Sequence, residues 1–160
     1  ALPALTILSI LNMHVGDAGA AELAAALDRG AIPRLEALYL CDADIGDAAL
    51  AALAPALRRR PALEMFSLWN NPFGDEGLAA LVAPPPAGAP PPTTGGLAKL
   101  KGLFLSRTQI TDAGCATLAA ALDSGALPAL EELYLNDIPA SAAAKAAVYA
   151  ARANLRGSSW

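Results

Sequence analysis

A six-residue phrase, Leu35-Glu36-Ala37-Leu38-Tyr39-Leu40, constrains this chain more than anything else in it. It returns as Leu130-Glu131-Glu132-Leu133-Tyr134-Leu135, and more loosely as Leu5 to Ile10, Leu63 to Leu68 and Leu100 to Leu105. Each copy is apolar at its first, fourth and sixth places. The fourth and sixth are a period-two pair, so each copy is predicted to be one short strand with a single face turned to a core. The first leucines stand at 5, 35, 63, 100 and 130, giving spacings of 30, 28, 37 and 30. A nearly fixed period in this range predicts a stacked-repeat solenoid, because no single repeat can bury its own leucines.

Each copy continues in the same way. In the first, Val15-Gly16-Asp17-Ala18-Gly19 leads into Glu22-Leu23-Ala24-Ala25-Ala26-Leu27, with Gly30 at the close. Asp17 is expected to cap the helix that follows it, its carboxylate accepting unpaired backbone amides, and Gly30 suits the left-handed residue past a helix end. The second copy opens with Ile45-Gly46-Asp47 and presents Leu50, Leu53 and Leu57 at spacings of three and four. It ends in Arg58-Arg59-Arg60, expected as cations at a helix C-terminus rather than a binding patch. The fourth runs through Ile110-Thr111-Asp112-Ala113-Gly114 to Leu118, Leu122 and Gly125. The fifth lacks the Gly-Asp opening and offers Ser141 before an alanine-rich helix.

The 37-residue spacing has a visible cause. Residues 84–96 hold six prolines and three glycines, which make poor helix and strand, so a loop insertion is expected there. Its prolines are never three apart, and no basic residue flanks them closely, which argues against a P-x-x-P ligand. The domain plan is therefore a repeat array over residues 1–155 with this insertion, and a frayed tail at 156–160. The chain opens on Ala1 with a repeat already in progress, so an N-terminal piece is expected upstream.

Composition narrows the function. Hydrophobic residues make up 55% of the chain, yet charges interrupt every alanine run before the roughly 18 apolar residues a membrane span needs. Eleven basic residues against 15 acidic ones give a net charge of −4, which is no footprint for nucleic acid. Neither membrane nor nucleic acid is an expected partner. Two well-separated cysteines, Cys41 and Cys115, with no secretory leader, point to a reducing, cytoplasmic setting. One histidine and two distant thiols do not make a zinc site, and no phosphate loop, Gly-x-Gly-x-x-Gly or Gly-x-Ser-x-Gly occurs. No cofactor, metal or catalytic residue is expected.

The pattern of Leu-x-x-Leu-x-Leu, an apolar-Gly-Asp-x-Gly loop and a Leu-Ala-x-Ala-Leu helix resembles leucine-rich repeats of the ribonuclease-inhibitor type. Such repeats are also found in Ran GTPase-activating proteins and in intracellular immune receptors with nucleotide-binding domains. The resemblance implies an α/β solenoid of about five repeats, with a curved parallel sheet inside and helices outside. It also implies an asparagine three places after the last strand leucine, bonding between turns. Only Asn71 stands there; Met13, Ala43, Thr108 and Ile138 occupy the equivalent places.

If the fourth and sixth strand places face the core, the third, fifth and seventh face the open side. Four of the chain's eight aromatics, Tyr39, Trp69, Phe104 and Tyr134, fall in that set, together with Met65, Glu132 and Asn136. Clustered exposed aromatics suit a binding hot spot, although aromatics also pack across neighbouring strands. The loops beyond the strands add Asp42, Asp44, Asn70 and Arg107. Acid outnumbers base along this rim, which predicts a protein partner with a basic patch. The expected function is a non-enzymatic protein-interaction scaffold binding on the concave strand face. A GTPase-activating protein of the Ran type and a sensor fragment of a larger nucleotide-binding signalling protein are the alternatives.

Overall fold

The computed structural model describes residues 2–60, 62–82 and 97–157. Strands and helices alternate in strict order: β1 (Ile7–Leu11), α1 (Gly16–Asp28), β2 (Ala37–Cys41), α2 (Asp47–Arg58), β3 (Met65–Ser67), α3 (Asp75–Val82), β4 (Gly102–Phe104), α4 (Asp112–Asp123), β5 (Glu132–Tyr134) and α5 (Ala142–Ala151). The strands form one parallel sheet in sequence order. Its register is that of the repeats: Leu8 lies beside Leu38, Leu38 beside Phe66, Phe66 beside Leu103 and Leu103 beside Leu133. The chain is an α/β leucine-rich-repeat solenoid, with five strands and five helices among the described residues. The proline-rich insertion at 84–96 lies outside the described residues.

The two layers explain the curvature. Neighbouring strands sit about 4.8 Å apart, whereas packed helices need about 8–10 Å, so stacking repeats puts the sheet on the inner arc and the helices on the outer one. Between the layers run Leu35, Leu38, Leu40, Leu63, Phe66, Leu68, Leu100, Leu103, Leu105, Leu130, Leu133 and Leu135, all buried. Each contributes about 1.5–3 kcal/mol, but only because a neighbouring turn covers it.

Polar stitches join the turns at defined points. Asn71 is buried; its amide donates to the carbonyls of Leu40 at 2.6 Å and Leu68 at 2.9 Å, and its oxygen accepts from the amides of Ala43 and Ile45 at 3.0 Å. It thus ties repeat three to repeat two. Thr108, at the same place in repeat four, donates to the Leu105 carbonyl at 2.8 Å and closes only its own turn.

The helix-opening aspartates behave differently from the expectation. Asp17 lies inside the first turn of α1, behind an N-cap formed by Val15, and Asp47 is the first residue of α2. Neither caps its own helix. Asp47 instead accepts from the amides of Gly74 (2.8 Å) and Gly77 (2.7 Å), capping α3 of the next repeat. Asp75 reaches forward to the amide and hydroxyl of Thr111, at 2.8 and 2.6 Å, and Asp112 to those of Ser141, at 2.6 and 3.0 Å. The neighbouring glycines follow from this. A β-carbon on Gly77 would stand 2.8 Å from the Asp47 carboxylate, and one on Gly114 would collide with that of Asp75. Arg58 likewise serves a neighbour, donating to the last-turn carbonyls of α3, Ala80 at 2.6 Å and Leu81 at 3.1 Å. Residues 158–160 lie outside the described residues, but Arg156, expected to fray, pairs in parallel with Glu132 of β5.

Candidate functional site

The sheet register settles which side chains share the inner face. Ile7, Ala37, Met65, Gly102 and Glu132 form one row, and Ser9, Tyr39, Ser67, Phe104 and Tyr134 the next. Small residues in these rows are floor rather than surface. Gly102 is buried beneath Met65, whose sulfur would stand 2.7 Å from a β-carbon there, and Ser67 and Ser106 are buried between larger neighbours.

Above that floor, Phe104 and Tyr134 stack with ring centroids 5.0 Å apart and planes 6° from parallel. Trp69 remains 39% exposed. The Arg107 guanidinium lies 5.1 Å from its ring centroid and donates to Asp137 at 3.3 Å. A cation over an exposed indole contributes about 0.5–1 kcal/mol, enough to hold a long side chain in place. Together these residues wall an open pocket of about 520 Å³, completed by Cys41, Ser67, Ser106 and Asn136. The Asn136 side-chain oxygen is buried in that wall and accepts no hydrogen bond from any described residue. A group bearing a donor could satisfy it.

Of the residues predicted from sequence, Trp69, Phe104, Tyr134, Arg107 and Asn136 meet in this pocket. Tyr39 and Met65 are half-buried on the same sheet face. Asp42, Asp44, Asn70 and Glu132 do not line it, and Asp44 pairs with His14 of the first repeat. The pocket also uses Cys41, Ser67 and Ser106, which hold outward period-two places, and Asp137 of the loop that follows the last strand.

The rim is governed by backbone as much as by charge. Asn12, Asp42, Asn70, Arg107 and Asp137 occupy one equivalent place per repeat, and all have φ between 53° and 58°. Asparagine and aspartate tolerate this left-handed conformation, so four of these five rim residues have a conformational reason to be there. Arg107 does not. The acidic surplus is also partly neutralised: Asp44 pairs with His14, Asp137 with Arg107, and Glu132 lies 3.8 Å from Arg156. The hydrogen bond to Asp44 and its charge, with a smaller contribution from Asp42, raise the His14 pKa above its usual 6.5.

The two thiols differ. Cys41 lies 3.3 Å from the Ser67 hydroxyl, within hydrogen-bond range, at the pocket, while Cys115 is buried and its pKa is pushed up to about 11 by burial and then by the charges of Asp112 and Asp75. Among the described residues no group of three metal-ligating side chains comes together, and no helix is long and apolar enough to cross a membrane.

No protein-family model and no curated protein matches the sequence. Among solved structures, actin-binding site 2 of leiomodin-1 superposes with a TM-score of 0.65 and 16% identity, covering 84% of this chain and 72% of that one. An internalin from Listeria monocytogenes aligns with 16% identity and a TM-score of 0.43 over 86% of this chain, which spans 37% of the internalin. The likeness to leiomodin-1 is one of fold, the leucine-rich-repeat array already described.

Proposed function

We propose that this chain is a non-catalytic scaffold that holds another protein on its inner strand face, with the aromatic pocket as anchor site. The observation that carries this is Arg107. An arginine in the left-handed region costs on the order of 1 kcal/mol that its counterparts Asn70 and Asp137 avoid. Its guanidinium nevertheless spans Trp69 and Asp137 at the pocket mouth. A strained residue holding a tryptophan partly exposed is better suited to recognition than to folding.

In this reading Trp69, Phe104 and Tyr134 bury an apolar side chain of the partner, with Arg107 and Asn136 beside it. Tyr39, Met65, Asn70 and Glu132 extend the contact along the sheet. Asp42 and Asp44 face a basic patch on the partner, consistent with the acidic chain. Leiomodin-1 uses a segment of similar shape as an actin-binding site, which supports protein binding as a use for the fold without naming a partner here. Spacings of 28–30 residues, apart from the one that holds the insertion, and a helix in each repeat support the ribonuclease-inhibitor subtype, and the unpaired thiols support a cytoplasmic signalling role. The array is taken as one domain over 1–155 carrying the 84–96 insertion.

Affinity capture from cell extract with wild type and a Trp69→Ala/Tyr134→Ala variant, both matched by circular dichroism, tests the site. Partners seen with wild type should be lost with the variant; equal retention would remove the pocket from the proposal. GTP hydrolysis by a panel of small GTPases should be unchanged when the protein is added.

A further inference from the structure

The small residues of the inner face lie along a diagonal. Ala37 of β2, Ser67 of β3 and Ser106 beyond β4 are all buried, and each stands one strand over and two residues further on than the one before. The register gives the first step, because Ala37 lies beside Met65 and Ser67 beside Phe104. The ladder carries it on: the Asn70 amide donates to the Ser106 carbonyl at 3.0 Å and the Arg107 amide to the Asn136 carbonyl at 2.9 Å, which sets Ser106 between Trp69 and Asn136. Larger side chains bank this line, Tyr39, Trp69 and Arg107 on one side and Met65, Phe104 and Asn136 on the other. The pocket is the part of it between Ser67 and Ser106. Met65 leans away from Ala37, onto Gly102.

Dimensions and charge select the occupant of such a groove. Strands β2, β3 and β4 each have a partner on both sides, so their backbones are engaged and the face offers side chains alone. The banks are two strand spacings apart, about 9.6 Å between backbones, whereas a helix with its side chains is about 10–12 Å across and stays above the floor. A single extended chain fits. From Ala37 to Ser106 the diagonal is about 17 Å long, the reach of about five extended residues. It runs out among the loops that leave the strands, residues 12–17, 42–47, 70–76, 107–112 and 137–142, which hold eight carboxylates, one arginine and no lysine. That arginine, Arg107, is already engaged by Asp137. Asp47, Asp75 and Asp112 serve neighbouring turns, but their charge remains. Asp42, which follows the pocket residue Cys41, has no ion-pair partner among the described residues.

We infer that the partner enters this groove as an extended, basic segment. It crosses from β2 to β4 at about 35° to the strands. It sets an aromatic or large apolar side chain over Ser67 and Ser106, and turns a lysine or arginine towards the carboxylates of the loops. This rests on the proposed scaffold role and adds the kind of partner the scaffold serves. The walls suit such a guest because they are braced from outside the groove: Arg107 lies over one face of the Trp69 ring, and Tyr134 stacks on one face of Phe104. Side chains held in place before binding cost little to order when the segment arrives.

Selection from a phage-displayed library of random linear peptides of about twelve residues, longer than the groove, tests this. Enriched peptides should carry an aromatic or large apolar residue with a lysine or arginine within about four positions of it. In fluorescence anisotropy, such a peptide should bind Trp69→Ala, which removes a wall, and Ser106→Leu, which fills the floor, at least about tenfold more weakly than wild type, with all three proteins matched by circular dichroism. Raising salt from about 0.05 to 0.5 M should weaken it severalfold. The complex should show no helix beyond that of its parts. Absence of enrichment, enrichment of acidic peptides, equal binding to Trp69→Ala, or gained helix each overturns the inference. Capture from cell extract separates it from the reading beneath it. If peptides fail while Trp69→Ala/Tyr134→Ala still loses its partners, the face takes a folded surface and only the extended segment falls. If that variant also retains its partners, the pocket falls as well.

Discussion

The junction between repeats two and three and the strand of repeat one are built from the same leucine pattern and end up physically unlike. At the junction, Leu38, Leu40, Phe66 and Leu68 are fully buried, Asn71 bonds to both turns and Asp47 caps the following helix. In repeat one, Leu8 and Ile10 hold the same places but are only half-buried, and Met13 stands exposed where Asn71 stands in repeat three. The difference teaches that the pattern specifies geometry, while the neighbour supplies the energy.

Breaking the junction should have the largest effect. Asn71→Leu strands the amides of Ala43 and Ile45 and the carbonyl of Leu40 in a buried setting, at about 1–3 kcal/mol per group. A loss of about 4 kcal/mol or more is expected in urea unfolding, or no cooperative transition at all; a loss under about 1 kcal/mol would mean the asparagine is replaceable. Next comes a matched pair. Leu38→Ala should cost about 2–5 kcal/mol, and Leu8→Ala less than half of that, because Leu8 is only half-buried and Leu38 fully so. Equal costs would show that repeat one is as well packed as repeat two.

A smaller change sharpens the comparison by location. Asp47→Ala should cost about 1–2 kcal/mol, the usual range for a lost cap. By hydrogen exchange, the amides of Gly74 and Gly77 at the start of α3 should lose protection, while the start of α2 keeps its own. The smallest effect expected is alkaline. Cys115 is raised from 9.0 to about 11 in the fold, so its neutral thiol contributes stability that is complete below pH 9 and is lost as pH rises towards 11. Cys115→Ala should remove that part of the slope in a pH series of thermal melts, and an unchanged slope would place the thiol nearer to water.

The strands, their register and the inward leucines were legible because period two and a repeat near 30 residues leave one stacking solution. The aromatic face followed from the same alternation. What could not be read was which turn a polar side chain serves. Asp47 and Asp75 stand where a cap for their own helix belongs, and only coordinates reveal that each carboxylate reaches forward into the next repeat. The rim carries a second reading for a related reason. Asp42, Asn70 and Asp137 look like a charged binding edge, yet their φ values near 55° give each a conformational reason to be there. That leaves Arg107 as the rim residue whose side chain needs a separate explanation. Arg156 was misjudged because a tail carrying no leucine pattern can still donate a backbone to an edge strand.

The forward reach of Asp47, Asp75 and Asp112 gives the array a direction. Each of these aspartates lies upstream of the turn it serves, beside the caps that Thr111 and Ser141 make on their own helices, so trimming turns from the C-terminal side leaves the remaining helices their aspartates. Trimming from the other side would deprive the newly leading helix of its anchor. Growth by duplication is therefore easier at one terminus than at the other, and the scaffold has a built-in order of dependence that its symmetric leucines conceal.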